Sequence, residues 1–356
     1  MSRKRLTVTI SDLGFGGAQN MAYEQLKHMD SNKFDISVLC CGPKRGAPLE
    51  GKMEKLYPVT YLGHYGRVTP LTICKVLVAI QRTKPDVVHS HIGADGFAAM
   101  WARVFRKPLV ITVHAKPEKA FSEKTKKQVR ALLKSRKIKL VAVSEDNAKL
   151  VKEYYKLTDS QSDCVNNGID LDRFARKSHE GFTIIHVGRQ DENKNQAALI
   201  RCFARLYEKY SDAKLLLLGD GPLHQELINL VAEMNLQDVV TLTGNVANTE
   251  DYYAVSDLYV QCSHREAMPL SVLEAMATGL PIISTDVGGL RDVVQDNGIL
   301  VPDNDEDALY KAIERIYEQS EEEIKTMCAA SNRIVQKYSS KEMAREYEKI
   351  YSEMCK

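Results

Sequence analysis

The sequence predicts an α/β protein built from two Rossmann-like, doubly wound domains. Three observations predict it. Short apolar runs, continuous rather than alternating, are separated by stretches with helical spacing, the pattern of parallel strands covered on both faces. The same rhythm starts again in the second half of the chain. Between the halves, over Asn166–Gly181, an Asn-Asn-Gly turn and a polar stretch through His179-Glu180-Gly181 interrupt it. At 356 residues the chain is long for one core and fits two domains of ordinary size. The division expected is 1–176 and 177–356, with the last helix packing back on the first domain.

In the first half, Leu6–Ile10 is the opening strand, followed by the glycine-containing turn Asp12–Gly17 and a helix to about Met29. Further strands are read at Phe34–Cys40, Val59–Leu62, Asp86–His89, Leu109–Val113, Leu140–Val143 and near Cys164–Val165. Helices over Thr69–Lys84 and Gly93–Phe105 lead into two of them. In the second half the strands are Thr183–Val187, Lys214–Leu218, Val239–Leu242, Leu258–Val260, Pro281–Ser284 and Ile299–Val301. After Asp305 the chain turns helical and charged to Lys356, with Tyr347 and Tyr351 one turn apart on one face. Ligands of open α/β sheets bind beyond the carboxyl ends of the strands, which for two facing sheets is the cleft between them.

Composition narrows the function classes. With 44% hydrophobic and 27% charged residues, the chain has the make-up of a water-soluble globular protein. No apolar run reaches the roughly 18–20 residues that span a bilayer, and Leu6–Ile10 lacks the length and cleavage site of a signal peptide. The expected location is therefore the cytoplasm. Eight cysteines, only Cys40 and Cys41 adjacent and none in CxxC spacing, read as reduced thiols rather than as zinc or disulfide sites. The net charge of +2 hides an asymmetry: 31 Lys/Arg against 17 Asp/Glu in residues 1–176, then 18 against 30. Such a split points to an anionic partner for the first domain.

The most informative segment runs from His264 to Pro281. Pro269 suits the first turn of a helix, Gly279 its end and Pro281 the start of the next strand. Leu270 and Ser271 then present backbone N–H groups at a helix N-terminus, where phosphate is favoured. Glu266 sits in the loop before that terminus and Glu274 one turn inside. A carboxylate accepts two hydroxyl hydrogen bonds at once, as a ribose or sugar diol requires; the simpler reading is that both acids only favour the helix start. After the first strand of the second half, Arg189 and Lys194 lie on one strand-to-helix loop, placed to neutralise a diphosphate. Gly219-Asp-Gly-Pro222 is a further turn of the backbone-approach type, and a weak signal.

Signals in the first half are looser. Gly14, Gly16 and Gly17 form a glycine turn without GxGxxG spacing. His114 ends the strand Leu109–Val113, on the side that faces a ligand. His89 and His91 lack a third ligand nearby in sequence and read as structural, and Asp170-Leu-Asp172 falls in the interdomain link. Neither is taken as a metal site.

Together these motifs resemble the retaining glycosyltransferases of the two-domain GT-B fold, the Glu-x7-Glu family known as family four or group 1. Glu266 and Glu274 match its hallmark, and Ala275–Pro281, Thr285–Asp292, Val187-Gly-Arg189 with Lys194, Asn166–Asp170 and Gly14–Gln19 continue the pattern. The resemblance implies a second domain that binds the nucleotide-sugar donor and a first domain on the acceptor side. It implies Arg189 and Lys194 on the donor diphosphate, Glu274 on the ribose hydroxyls and Glu266 on the transferred sugar. Leu270 and Ser271 N–H groups would meet phosphate or sugar, Gly16 and Gly17 would approach the phosphates, and His114 would line the reaction centre. The chain departs from the family at Ala267-Met268, where an aromatic-Gly pair is usual, and at Asn166, where proline is usual. No metal and no cofactor is expected, the nucleotide sugar being a substrate.

The segment Lys116–Lys139 carries ten Lys/Arg against Glu118 and Glu123. Beside a solvated helix face, the charge suits an anionic membrane, at about 1 kcal/mol per basic residue, or equally a phosphate-bearing acceptor; membrane contact is the favoured reading. Nucleic acid is disfavoured, because no aromatic binding motif accompanies the charge. The expected function is transfer of a hexose from a nucleotide diphosphate sugar, a UDP-sugar first, to a polyprenyl-diphosphate-linked glycan in bacterial surface or capsular polysaccharide synthesis. It places the protein peripherally on the inner face of the cell membrane. The alternatives are a small soluble acceptor such as a sugar phosphate, and a catalytically silent nucleotide-sugar-binding subunit.

Overall fold

A computed structural model of the chain describes residues 3–14, 16–64, 68–134, 137–266 and 268–355. Ala267, and Arg136 within the basic segment Lys116–Lys139, lie outside the described residues. The contacts divide the chain into two compact units, residues 1–168 with 340–356, and residues 169–339.

Unit 1 runs β1 Lys4–Ile10, α1 Gly17–Lys27, β2 Phe34–Cys40, α2 Pro48–Leu56, β3 Val59–Tyr61, α3 Pro70–Arg82 and β4 Val87–Ser90. It continues with α4 Asp95–Phe105, β5 Leu109–Val113, α5 Pro117–Ala120, α6 Glu123–Leu133, β6 Ile138–Ala142, α7 Glu145–Tyr155 and β7 Ser162–Cys164. Unit 2 holds β8 Phe182–Val187, α8 Gln196–Lys209, β9 Ala213–Leu218, α9 His224–Glu233, β10 Val240–Gly244, α10 Thr249–Ala254 and β11 Leu258–Gln261. Then come α11 Leu270–Ala277, β12 Ile282–Thr285, α12 Leu290–Val293, β13 Gly298–Val301, α13 Glu306–Glu318 and α14 Glu321–Val335. The chain re-enters unit 1 with α15 Ser340–Met354.

Both sheets are parallel throughout. Their orders are β3-β2-β1-β4-β5-β6-β7 and β10-β9-β8-β11-β12-β13. Each order reverses direction once, between β1 and β4 in unit 1 and between β8 and β11 in unit 2. Those reversals open the crevices where doubly wound sheets hold ligands. The strands are continuous apolar runs because helices cover both their faces. All five residues of β5 are buried, as are all four of β11.

Helix starts follow local chemistry. Thr69 Oγ1 accepts from Thr72 N–H at 3.2 Å before α3, and Pro70 fills its first turn. Asp305 accepts from Ala308 N–H at 2.9 Å before α13. The basic stretch is broken at Phe121–Ser122 into α5 and α6, Ser122 capping the second through Thr125 N–H at 3.3 Å. Helix α15 buries Met343, Ala344, Tyr347, Ile350 and Tyr351, its apolar face. Each large side chain so covered is worth about 1.5–3 kcal/mol. Its tyrosines also find polar partners: Tyr347 OH lies 2.8 Å from Thr112 Oγ1, and Tyr351 OH lies 2.6 Å from His89 Nδ1.

Candidate active site

Unit 2 gathers most of the predicted site residues at its β8/β11 reversal. Beyond β8 the chain passes through Gly188 and Arg189 to Lys194; beyond β11 it passes through Cys262 to Glu266 and on to α11. Two loops 72 residues apart are thereby joined. His264 N–H donates to Asn193 O at 2.8 Å, Asn193 Nδ2 donates to Arg265 O at 3.0 Å, and Cys262 Sγ donates to Lys194 O at 3.2 Å.

At the centre, Lys194 Nζ stands 2.5 Å from Glu266 Oε1, with side chains 17% and 11% exposed. Gln261 Nε2 donates to the same carboxylate oxygen at 2.9 Å. Tyr259 OH touches Gln261 Oε1 and lies 2.9 Å from Ser271 Oγ, so the network reaches the first turn of α11. Burial drives the Tyr259 phenol well above its ordinary pKa, the Glu266 and Glu274 carboxylates adding to the rise. That phenol therefore stays a neutral hydrogen-bonding group. The stem of Lys194 lies over Gly188, where a Cβ would sit 3.4 Å from its Cδ and Cε.

Helix α11 begins at Leu270 after Pro269, with no side-chain cap and no acid in its first turn. Leu270 and Ser271 N–H groups have no intrahelical acceptor there, and the dipole favours negative charge. Glu274 is half-buried in this helix. Its carboxylate neighbours Tyr253, whose phenol burial and that charge push well above the usual value, and Tyr253 OH donates to Ser271 O at 3.0 Å. Arg189, by contrast, is 70% exposed, its Nε 3.7 Å from Asp191 Oδ2. It is the exposed cation of the two, and Lys194 the paired and largely buried one.

The Gly219–Pro222 turn, a weak signal in sequence, supports this loop. Gly219 has φ +118°, and a Cβ there would fall 2.1 Å from Gly188 O; at Gly221 one would fall 2.2 Å from Gln190 O. Only glycine lets the two turns stack so closely. His186, unremarked in the sequence, is the last residue but one of β8 and is fully buried. Its Nδ1–H donates to Val260 O at 2.8 Å and its Nε2 accepts from Gln196 Nε2 at 3.3 Å. Burial lowers it to about 4, so it is neutral.

In unit 1 the structure brings together residues at the β1/β4 reversal and the end of β5. Gly16 precedes α1 with extended backbone, and no side chain caps that helix. A Cβ on Gly17 would meet none of the described residues within 4 Å, which leaves room for a ligand to approach. His114, half-buried after β5, has Nε2 at 3.2 Å from His91 Nδ1. His89 is bound on both sides, Nε2 at 2.8 Å from Thr112 Oγ1 and Nδ1 to Tyr351, so a third histidine does lie near His91 although His89 is not free to join it.

The ten cations of Lys116–Lys139 do not form one solvated face. Lys126 is buried, donating to Glu118 O at 2.8 Å and Glu123 Oε1 at 2.6 Å, and Lys139 is buried against Asp163 at 2.5 Å. Lys116, Lys119, Lys124, Lys127, Arg130 and Lys134 are exposed. No helix among the described residues is long and apolar enough to cross a membrane.

Comparison with known proteins places this geometry. Residues 169–333 match the family model for glycosyl transferases group 1, and residues 15–173 match that for glycosyltransferase family 4. An uncharacterized glycosyltransferase of Methanocaldococcus jannaschii is 29% identical over 236 residues, 60% of this chain and 58% of that one. A UDP-Gal:alpha-D-GlcNAc-diphosphoundecaprenol alpha-1,3-galactosyltransferase of Escherichia coli is 26% identical over 333 residues, 84% of each chain. Anabaena HepE, solved in complex with UDP, superposes with a TM-score of 0.81 at 19% identity, covering 98% of this chain and 100% of that one. One family model falls on each half of the chain, and the fold agrees along its length. The chain belongs to the group 1, family-four glycosyltransferases of the GT-B fold.

Proposed function

We propose that the protein transfers a hexose from a nucleotide diphosphate sugar, a UDP-sugar first, to a hydroxyl of a polyprenyl-diphosphate-linked glycan, with retention at the anomeric carbon. The observation that carries it is the Lys194–Glu266 pair held beside the uncapped start of α11. A cation, a carboxylate and the N–H groups of a helix start at a sheet reversal suit a diphosphate joined to a sugar. The Escherichia coli relative is named for a UDP-sugar donor and a diphosphoundecaprenol acceptor, and HepE was solved with UDP, which supports the donor and acceptor classes.

In this reading Lys194, Arg189 and the Leu270 and Ser271 N–H groups stabilise the charge that gathers on the leaving diphosphate, without calling on a metal. Glu274 takes the ribose hydroxyls. Glu266, released from Lys194 as phosphate arrives, takes hydroxyls of the sugar. Gly16 and Gly17 approach the phosphates, and His114 lines the reacting sugar. The acceptor then attacks from the leaving-group side of a short-lived oxocarbenium-like ion. The exposed cations of α5 and α6 hold the protein against an anionic membrane, where a lipid-linked acceptor resides.

A thermal-shift screen of nucleotide sugars tests the donor, since a ligand that binds only the folded state raises apparent stability. One UDP-sugar should give a clear shift, and release of UDP from it in the presence of acceptor should follow. No shift with any nucleotide sugar would overturn the reading. Full turnover on a water-soluble sugar phosphate would move the acceptor class.

A further inference from the structure

His89, His91 and His114 form a row of imidazoles at the carboxyl ends of β4 and β5. Their ring centroids are 4.1 Å apart for His89 and His91, and 5.5 Å for His91 and His114. The two ends of the row differ. His89 has both nitrogens occupied, by Thr112 and Tyr351. His91 is fully buried; its Nδ1 lies 3.2 Å from His114 Nε2, while its buried Nε2 has no hydrogen-bond partner among the described residues.

That orphaned nitrogen decides where the protons sit. With both rings neutral, one of the two facing nitrogens must carry the hydrogen. If it is His114 Nε2, then His91 keeps its own proton on Nε2, a buried N–H with no acceptor. If it is His91 Nδ1, the unpartnered atom is only a bare lone pair. Buried N–H groups left without acceptors are the rarer and costlier case. Removal from water keeps His91 neutral, and the neighbouring imidazoles disfavour its charge further. His114 is likewise lowered, to about 4, by burial.

We propose that His91 is a positioning residue that donates from Nδ1 to His114 Nε2 and so locks His114 in the Nδ1–H tautomer. His114 then presents an N–H donor at the end of β5. It binds an oxygen of the sugar or acceptor and does not serve as a general base. The tautomer of an imidazole is set by the hydrogen bond its other nitrogen makes, and here that bond comes from a residue 23 positions earlier. The pairing stands on the geometry alone; its bearing on catalysis rests on the proposed function.

Two measurements test it. Long-range 1H–15N NMR on histidine-labelled protein, with His114 assigned by its loss in His114→Gln, should show His114 protonated at Nδ1 and bare at Nε2. His91→Leu should return the proton to Nε2, while His91→Asn, whose amide nitrogen reaches the place of Nδ1, should keep the wild-type pattern. Turnover of the donor found by screening should fall roughly 10–100-fold in kcat for His91→Leu with KM within about twofold, and recover in His91→Asn to within a few-fold. A wild-type His114 protonated at Nε2, or an unchanged tautomer in His91→Leu, overturns the proposal. Should the leucine variant fail to fold, the wild-type and asparagine spectra still decide. Absence of any turnover by the wild type would instead overturn the functional reading and leave the tautomer result standing.

Discussion

Lys194 Nζ lies 2.5 Å from Glu266 Oε1, and Gln261 Nε2 shares that oxygen at 2.9 Å. The cation proposed for the diphosphate thus rests on the carboxylate proposed for the sugar. A ligand that claims both must exchange their partnership for its own. Lys194→Ala should lower kcat by about 10²–10³, the range for losing one donor to developing charge, with a smaller change in KM. Because the two side chains are coupled, the double variant with Glu266→Gln should cost less than the sum of the singles. Steady-state kinetics on all four proteins check this, and strict additivity would count against the pair acting as a unit.

Glu274 is one turn inside α11, and its predicted role is binding rather than chemistry. Glu274→Ala should weaken UDP affinity by roughly 10–100-fold, the worth of hydrogen bonds to a charged group. Calorimetric titration of UDP measures it. Unchanged affinity would remove Glu274 from the ribose site.

Gly219 and Gly17 make a contrasting pair. A Cβ at Gly219 meets Gly188 O at 2.1 Å with φ +118°, whereas one at Gly17 meets none of the described residues within 4 Å. Gly219→Ala should destabilise by roughly 2–4 kcal/mol and weaken UDP binding by displacing the Arg189 loop. Gly17→Ala should alter stability by less than about 0.5 kcal/mol yet still reduce donor affinity. Urea denaturation beside nucleotide titration separates the two effects.

His186 and Asp95 should tilt stability against pH in opposite directions. Burial holds His186 down at about 4, while the unfolded value is about 6.5. Its stabilisation is present above about pH 6.5 and lost as pH falls to 4, of order 3 kcal/mol in all. Burial lifts Asp95 to about 7, so its contribution is present below about pH 4 and lost as pH rises to 7. The two windows overlap and the slopes oppose, so between pH 4 and 7 denaturation midpoints should fall more with rising pH in His186→Gln than in the wild type, and rise more in Asp95→Asn. Parallel curves for all three proteins would refute both assignments.

Membrane contact should depend on apolar as well as basic residues. Trp101 Nε1 donates to Gln81 Oε1 at 3.2 Å, setting the last turns of α3 and α4 side by side. Near them Val78, Val104 and Phe105 are exposed, with Arg82, Arg103 and Arg106, while Leu71 is 79% exposed at the start of α3. Flotation with phosphatidylglycerol vesicles should weaken about fivefold for each of Lys124→Ala and Lys127→Ala and fall with salt. Leu71→Asp should weaken it at all salt concentrations. Equal flotation with neutral vesicles would argue for another use of the charge.

Much of the fold was legible because parallel strands buried on both faces leave continuous apolar runs. Phe34–Cys40 and Leu109–Val113 were bounded to the residue. The site was legible in parts, not in its pairings. Glycine, proline and acid positions mark the start of α11, but nothing local ties Lys194 to a residue 72 positions on. Gln261 and His186 sit at the ends of apolar strands, and a polar residue at a strand's carboxyl end was the signal that could have found them. His91 read as structural because its partner His114 comes close only through the register of β4 on β5. The tyrosine pair of α15 declared a face, and His89 and Thr112, which receive it, lie more than 230 residues away.

The return of α15 makes unit 1 a domain written in two instalments, with unit 2 inserted whole between them. On the ribosome, residues 169–339 form a contiguous segment that is complete while unit 1 still lacks its closing helix. Until Tyr347 and Tyr351 emerge, His89 and Thr112 await their partners in an unfinished layer. The second unit to begin is therefore the first that can be completed, and a chain halted at Ser339 would leave unit 1 with an open apolar seam for chaperones to find.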